Sequence, residues 1–284
     1  MELDGKVAIV TGASRGVGAA TAVALAGQGA RVACAARATD SAPMSTPGTL
    51  DATVRDIRSA GGDAIAVPTN LGKDEEVVAM VAKTIDHYGR VDILVNNAAI
   101  TFPGDLDTPM KRYDLMFAVN LRAPLIACQQ VAPGMKERGE GSILNVSSMA
   151  ALNYFPGLMA YGMSKIALEH MTVSLATQLA PFDIAVNTFR IDIAVASEGF
   201  VANMPDADHA NWEPTEVPAE GILWMLRQPP SYTGRNEAMS ILRETRGIMK
   251  SRVAHPTAPS PGTNRVNPMP FLDPTGAPVT GVEA

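Results

Sequence analysis

Short runs of apolar and β-branched residues alternate along this chain with longer amphipathic stretches, and that alternation restricts the fold more than any other feature. Val7 to Val10, Val32 to Ala35, Ala64 to Val67, Ile93 to Val95, Ser142 to Val146 and Ile184 to Phe189 have the character of strands. Helical patterns lie between most of them, over Val17 to Gln28, Thr49 to Ala60, Asp74 to Tyr88, Lys111 to Arg138 and Ala160 to Leu179. The strands show little polar alternation, so both of their faces are expected to be buried, which requires helices on either side of a parallel sheet. The expected architecture is α/β: a single doubly wound parallel sheet with helices on both faces, over residues 1–254. One more helix, Ala219 to Arg227, and one more strand, Ala238 to Leu242, are expected to complete it.

Three stretches break the rhythm. Arg37 to Gly48 is rich in Ser, Pro, Thr and Gly and is longer than the usual βα connection of about 2–6 residues; it is expected at the surface near one end of a ligand cleft. Residues 191–218 carry several carboxylates together with Phe200, Met204 and Trp212 but no clean period, and are expected to form a substrate loop. From His255 onward seven prolines and no periodicity exclude a helix or central strand, so residues 255–284 are expected to be an extended tail.

The chain of 284 residues is 46% hydrophobic and 18% charged, with a net charge of −6. Such a balance leaves no basic footprint for nucleic acid. The opening residues show no signal-peptide pattern, and no apolar span of membrane length stands out; a cytoplasmic location without a membrane partner is expected. Cys34 and Cys128 sit among apolar neighbours and are expected to be buried small hydrophobes. His87, His170, His209 and His255 are scattered, so no metal site is expected.

Thr11-Gly12-Ala13-Ser14-Arg15-Gly16-Val17-Gly18 joins the first strand to the first helix. A tight turn of this kind aims backbone amides and a positive helix terminus at a pyrophosphate. Gly12 permits the turn, Gly16 the approach of phosphates, and Gly18 close packing of helix on strand. An acid at the end of the second strand would hold a ribose 2′-hydroxyl and repel a 2′-phosphate. Here Ala36 stands in that place with Arg37 beside it, and Arg15 adds a second cation. Guanidinium groups match phosphate, so NADP(H) is expected over NAD(H), which remains possible if both arginines are merely solvated. Asn70, after the third strand, could bond the adenine edge.

Tyr161 and Lys165 are four apart on a helix and share a face. An ammonium beside a phenol favours phenolate and brings its proton within reach of acid/base work. Ser148 ends the fifth strand, at the carboxyl edge where such sheets bind ligands.

Taken together, Thr11 to Gly18, Asn96-Asn97-Ala98-Ala99, Asn120, Ser148 and Tyr161-Gly162-Met163-Ser164-Lys165 resemble the short-chain dehydrogenase/reductase family over roughly Lys6 to Leu242. Pro43 to Thr49, followed by Leu50-Asp51-Ala52-Thr53, and Leu106 to Met116 look like its hydroxysteroid dehydrogenase-like branch. The resemblance implies a Rossmann sheet and an NADP-type oxidoreductase. It implies Tyr161 as general acid/base, Lys165 as the group that lowers the Tyr161 pKa and contacts the nicotinamide ribose, and Ser148 as the group that polarises the substrate oxygen. Asn120 would hold a water that links Lys165 to solvent. Cofactor contacts would come from Thr11, Gly12, Ser14, Arg15, Gly16, Val17, Gly18, Arg37, Asn70, Leu71, Asn97, Ala98, Ala99, Tyr161, Lys165, Ile193 and Ser197. The chain departs from the family at Ile191-Asp192, where Pro-Gly is usual, and at Ala196-Ser197, where Ser197 would replace a Thr near the nicotinamide amide.

The expected function is hydride transfer between NADP(H) and the carbonyl or alcohol carbon of a small, apolar molecule, in a homodimer or homotetramer built on the long helices. Met149, Tyr154, Phe155, Met159, Phe200, Met204 and Trp212 could wall the pocket. Two alternatives are a nucleotide-binding regulatory or scaffold protein of the same fold, and an oxidation followed by elimination or isomerisation.

Overall fold

Each of the first six expected strands forms and is slightly longer than the apolar run that marks it: β1 Val7–Thr11, β2 Arg31–Ala36, β3 Asp63–Pro68, β4 Ile93–Asn96, β5 Gly141–Ser148 and β6 Ile184–Ile191. The computed structural model describes residues 1–254, and the expected tail from His255 lies outside the described residues. With β7, Asn236–Ala238, the strands make one parallel sheet in the order β3-β2-β1-β4-β5-β6-β7. The chain builds outward from β1 to β3 and then restarts at β4 on the other side of β1. Loops after β1 and β4 therefore leave in opposite directions, and a crevice opens between them at the carboxyl edge.

Helices α1 (Gly16–Ala26), α2 (Leu50–Ser59), α8 (Glu216–Leu226) and α9 (Met239–Arg246) bury Leu25, Ile57, Ile222 and Leu242 against one face of the sheet. Helices α3 (Asp74–Tyr88), α5 (Ala123–Arg138) and α6 (Met159–Leu179) bury Met80, Val131 and Leu179 against the other. Thr49 caps α2 by accepting from the Ala52 amide at 3.2 Å, and Gly89 ends α3 in the left-handed region.

Polar side chains cross the centre of this apolar frame in one row. Asn96 pairs in register with Asn145, and Asn145 with Thr188, so three neighbouring strands bring their side chains together. Asn96 Nδ2 donates to Asn145 Oδ1 at 2.9 Å, and Asn145 Nδ2 to Thr172 Oγ1 at 2.8 Å. Thr188 donates to the same Thr172 hydroxyl at 2.8 Å, and Thr172 donates to the Leu168 carbonyl at 2.9 Å. All four side chains are buried, where an unmet polar group costs about 1–3 kcal/mol. Thr172 thereby sets the rotation of α6 on the sheet. Tyr161, Lys165, Glu169 and Thr172 follow one helical face, so the row that fixes Thr172 also orients Tyr161 and Lys165.

Two expected elements take another form. The long helix is divided into α4 (Met110–Phe117), a π turn at Ala118–Arg122, and α5. Pro124 is the cause: it has no N–H for the Asn120 carbonyl four residues back, and its ring crowds that carbonyl. The run Met110–Arg138 is also long and apolar enough to cross a bilayer, contrary to the expectation, although 44% of its most apolar window is buried within the protein. The strand expected at Ala238 to Leu242 is mostly α9, whose Met239 and Leu242 are buried one turn apart. The loop at 191–218 contains a short helix, α7 (Glu198–Asn203), and gives way at Glu216 to α8, which begins before the expected Ala219.

Candidate active site

Thr11, at the end of β1, is buried, and its hydroxyl accepts from the backbone amides of Asn97 at 3.0 Å and Ala98 at 3.1 Å. Asn97 Nδ2 donates back to the Thr11 carbonyl at 2.9 Å, so the loops after β1 and β4 are tied at the switch point. A Cβ on Gly12 would stand 2.8 Å from Asn97 Nδ2, and one on Gly18 only 2.3 Å from the Gly12 carbonyl oxygen. Glycine at these positions is what lets turn, helix and Asn97 meet. Ser14 and Val17 are buried in the turn, and Ala98 and Ala99 lie along the crevice with Ala99 exposed.

The turn fits a dinucleotide phosphate. No side chain caps α1, and no acid occupies its first turn, so its leading amides are unclaimed by a capping group. Arg15 precedes the helix, and its Nη2 donates to the Gly48 carbonyl at 3.0 Å while its buried Nε has no partner. Burial and the nearby Arg37 lower the Arg15 pKa, whereas Glu198 raises it. Arg37 is exposed. Two guanidiniums close enough to repel each other make a place where an anion is favoured. Asn70 Oδ1 accepts from the Gly72 amide at 3.0 Å, and the Asn70 amide donates to Glu76 at 2.7 Å, which orders the turn after β3. Leu71 packs on the second core layer.

Across the switch point Lys165 and Asn120 are buried, and Ser148 and Tyr161 are half-buried. Ser148 ends β5, accepts from the Ala150 amide at 3.3 Å, and its hydroxyl is hydrogen-bonded to Tyr161. Contrary to the expectation that Lys165 lowers it, the Tyr161 pKa is lifted above its ordinary value by burial, and the Ser148 bond is the influence that draws it back. Lys165 is 2% exposed; its Nζ donates to the Val146 carbonyl at 2.8 Å and lies 5.7 Å from the Tyr161 ring centroid. Burial lowers Lys165 from 10.5 to about 8, and Glu169, one turn further along α6, opposes that shift. Glu169 is in turn held by Arg190 of β6, through Nε at 2.9 Å and Nη2 at 2.6 Å. Asn120 stands in the π turn. Its Oδ1 accepts from the Ile100 amide at 2.9 Å, and its Nδ2 donates to the Ile100 carbonyl at 2.9 Å and to Ser164 at 3.1 Å. Both amide protons are engaged, so a water relay would depend on Asn120 oxygens.

Beyond β6, Ile193 turns its side chain into the first core layer. Ser197 caps α7, and a Cβ on Gly16 would meet Ser197 Cβ at 3.2 Å and Glu198 Oε2 at 3.4 Å. This loop thus reaches across to the glycine turn. The Glu213 amide donates to the Ala194 carbonyl at 2.9 Å and the Ala196 amide to the Glu213 carbonyl at 2.8 Å, while the buried Glu213 carboxylate accepts from Arg243 at 2.8 Å. Asp192 has a structural explanation: its carboxylate accepts from the amide and hydroxyl of Ser240 in the first turn of α9. Of the proposed pocket walls, Phe200 stacks on buried Trp212 at 4.6 Å, and Tyr154 donates to Asp105 at 3.1 Å. Sequence reasoning missed Glu169 and Arg190. Glu169 lies one turn from Lys165 and was legible as a neighbour, but Arg190 joins it only through the packing of α6 on β6.

A doubly wound sheet with an uncapped glycine turn on one side of its switch point and a Ser–Tyr–Lys group on the other defines the class of dinucleotide-dependent oxidoreductases. Residues 6–195 match the family model for short chain dehydrogenases, and the chain belongs to that family. It is 37% identical over 187 residues to dehydrogenase/reductase SDR family member 4 of Sus scrofa, covering 65% of this chain and 64% of that protein. It is 31% identical over 237 residues to hydroxysteroid dehydrogenase-like protein 2 of Danio rerio, covering 82% of this chain and 57% of that one. The chain therefore aligns with less than two thirds of the length of either relative. A metagenomic short-chain oxidoreductase in complex with NADP superposes with a TM-score of 0.70 at 30% identity, covering 84% of this chain and 99% of that one.

Proposed function

We propose that this oxidoreductase transfers hydride between NADP(H) and the carbonyl or alcohol carbon of a small, apolar substrate. The observation that carries the reading is the union of Ser148, Tyr161 and Lys165 at the carboxyl ends of β5 and α6's first turns, opposite the uncapped glycine turn. Arg15, Arg37 and the missing acid at Ala36 support the 2′-phosphorylated cofactor. Thr11, Gly12, Ser14, Gly16, Val17 and Gly18 would hold the diphosphate, Asn70 and Leu71 the adenine side, and Asn97, Ala98, Ala99, Ile193 and Ser197 the nicotinamide side. When bound, the nicotinamide supplies or accepts the hydride.

A phenol holds its proton at neutral pH and burial moves Tyr161 further in that direction, so in reduction Tyr161 is loaded to give its proton to the substrate oxygen. Ser148 donates to the same oxygen, a bond that strengthens as negative charge grows there and so favours the transition state over the ground state. Lys165, as an ammonium, stabilises the phenolate left behind and anchors the ribose. Asn120 and Ser164 brace the π turn against α6. We further propose a cytoplasmic homo-oligomer; the exposed apolar side chains of Met110, Leu115, Leu125 and Met163 on α4, α5 and α6 support the oligomer, and light scattering that returned a monomer at micromolar concentration would remove it. The function is tested by following NADPH and NADH oxidation against a panel of ketones and aldehydes. Turnover with NADPH is expected. Tight cofactor binding with no turnover across the panel would favour the regulatory alternative.

A further inference from the structure

We propose that the insertion between β2 and α2 is a strap that sets cofactor choice, with Gly48 as a specificity-determining position that holds Arg15 for a 2′-phosphate monoester. It rests on the NADP(H) assignment above and deepens it.

The strap is closed at its base and pressed onto the glycine turn at its far end. The Leu50 amide donates to the Ala38 carbonyl at 2.9 Å, with Ala38 and Leu50 both buried. Asp40 gathers the arms: its carboxylate accepts from Thr49 at 2.5 Å and Arg55 at 2.6 Å, and its amide donates to Asp51 at 2.7 Å. Thr53 donates to the Ala13 carbonyl at 2.8 Å, which fastens α2 to the glycine turn from below. Gly48 is the point of closest approach. It adopts φ +103°, and a Cβ there would stand 2.5 Å from the Ser14 carbonyl oxygen and 2.8 Å from Arg15 Cβ. The atom in the way is backbone, which cannot swing aside as a long side chain would. From this position the Gly48 carbonyl takes one Arg15 hydrogen bond.

That bond uses one Nη2 donor and leaves the other terminal N–H groups of the Arg15 guanidinium for another acceptor. The charged groups around Arg15 are Arg37 from the end of β2 and Glu198 from α7. A phosphate dianion between the two guanidiniums would relieve their repulsion and supply the acceptors they lack. A plain ribose hydroxyl would do neither. The strap thus fixes one guanidinium from behind, and fixing it reduces the conformational freedom lost when a phosphate is clasped.

The test is fluorescence titration of NADPH and NADH into the wild-type protein, Gly48→Ala and Asp40→Ala. Gly48→Ala is expected to weaken NADPH about tenfold more than NADH, as loss of one charge-assisted bond predicts. Asp40→Ala, which loosens the strap without adding an atom against Ser14, should weaken NADPH in the same direction by less. Retained NADH binding shows that the fold survives; if Gly48→Ala binds neither cofactor, the NADPH-to-NADH affinity ratio in Asp40→Ala decides. A NADPH-to-NADH affinity ratio unchanged from the wild type in a variant that still binds NADH overturns the strap. A wild-type protein without NADPH preference instead overturns the cofactor assignment, before any variant is measured.

Discussion

Lys165 and Arg37 stand on opposite sides of the same switch point and are built in opposite ways. Lys165 is 2% exposed and meets Val146, Tyr161 and, through α6, the Glu169–Arg190 pair. Arg37 is exposed, and its neighbour Arg15 repels it. Burial has therefore already altered the chemistry of the catalytic end, whereas the adenosine end depends on a ligand to complete it. Changes at the first should act on rate and pH dependence, and changes at the second on affinity and on its sensitivity to salt.

The contrast breaks most sharply at Tyr161. Tyr161→Phe removes the proton donor and keeps the ring, so kcat should fall by about 10²–10⁴-fold with NADPH affinity nearly intact. Stopped-flow oxidation of NADPH together with a binding titration checks both halves, and a wild-type kcat in the variant would end the mechanism.

Glu169 gives the next largest effect. Lys165 sits near 8, and its ammonium is the acting form, so activity should fall as pH rises through about 8. Glu169→Gln removes the group that raises Lys165, and the falling limb of the pH–rate profile should move to lower pH. Glu169→Asp, which keeps the charge, should return the limb toward its original place. A loss of rate equal at every pH would mean that the pair with Arg190 is only structural. Thermal unfolding should also show a cost for leaving Arg190 alone, of the order of 3–5 kcal/mol for a broken buried pair.

The smallest of the three lies at the adenosine end. Arg37→Ala should weaken NADPH relative to NADH by roughly tenfold, at the low end for a charge-assisted contact because Arg37 faces solvent. The difference should shrink as salt is raised from low to physiological strength, which Lys165 variants should not show. Equal cofactor ratios in the wild type and the variant would take Arg37 out of the phosphate site.

Much of this was legible from local pattern. The apolar runs located six strands because a parallel sheet buried on both faces leaves a direct mark on its sequence. The glycine turn was legible because it is one continuous segment, and Tyr161 and Lys165 because helical spacing alone puts them on one face. The break in the long helix was also written locally, in Pro124, although the helical period around it concealed it. Ala238 to Leu242 was misjudged because Met239 and Leu242 suit a short strand or a helix equally well. Asp192, forty-eight positions before Ser240 in the chain, settles that choice by accepting from the start of α9.

What the sequence alone determined, then, is the order of elements and the residues whose meaning depends on near neighbours: the strand core, the turn from Thr11 to Gly18, and the Tyr161–Lys165 pair. Tertiary structure decided the rest. It put Arg190 under Glu169, laid Asn96, Asn145, Thr172 and Thr188 in one row, brought Glu198 to Gly16, and pressed Gly48 onto Ser14 and Arg15. These contacts join residues from different elements, and no local propensity encodes them. They exist because the strand order and the burial of both sheet faces leave those elements nowhere else to pack.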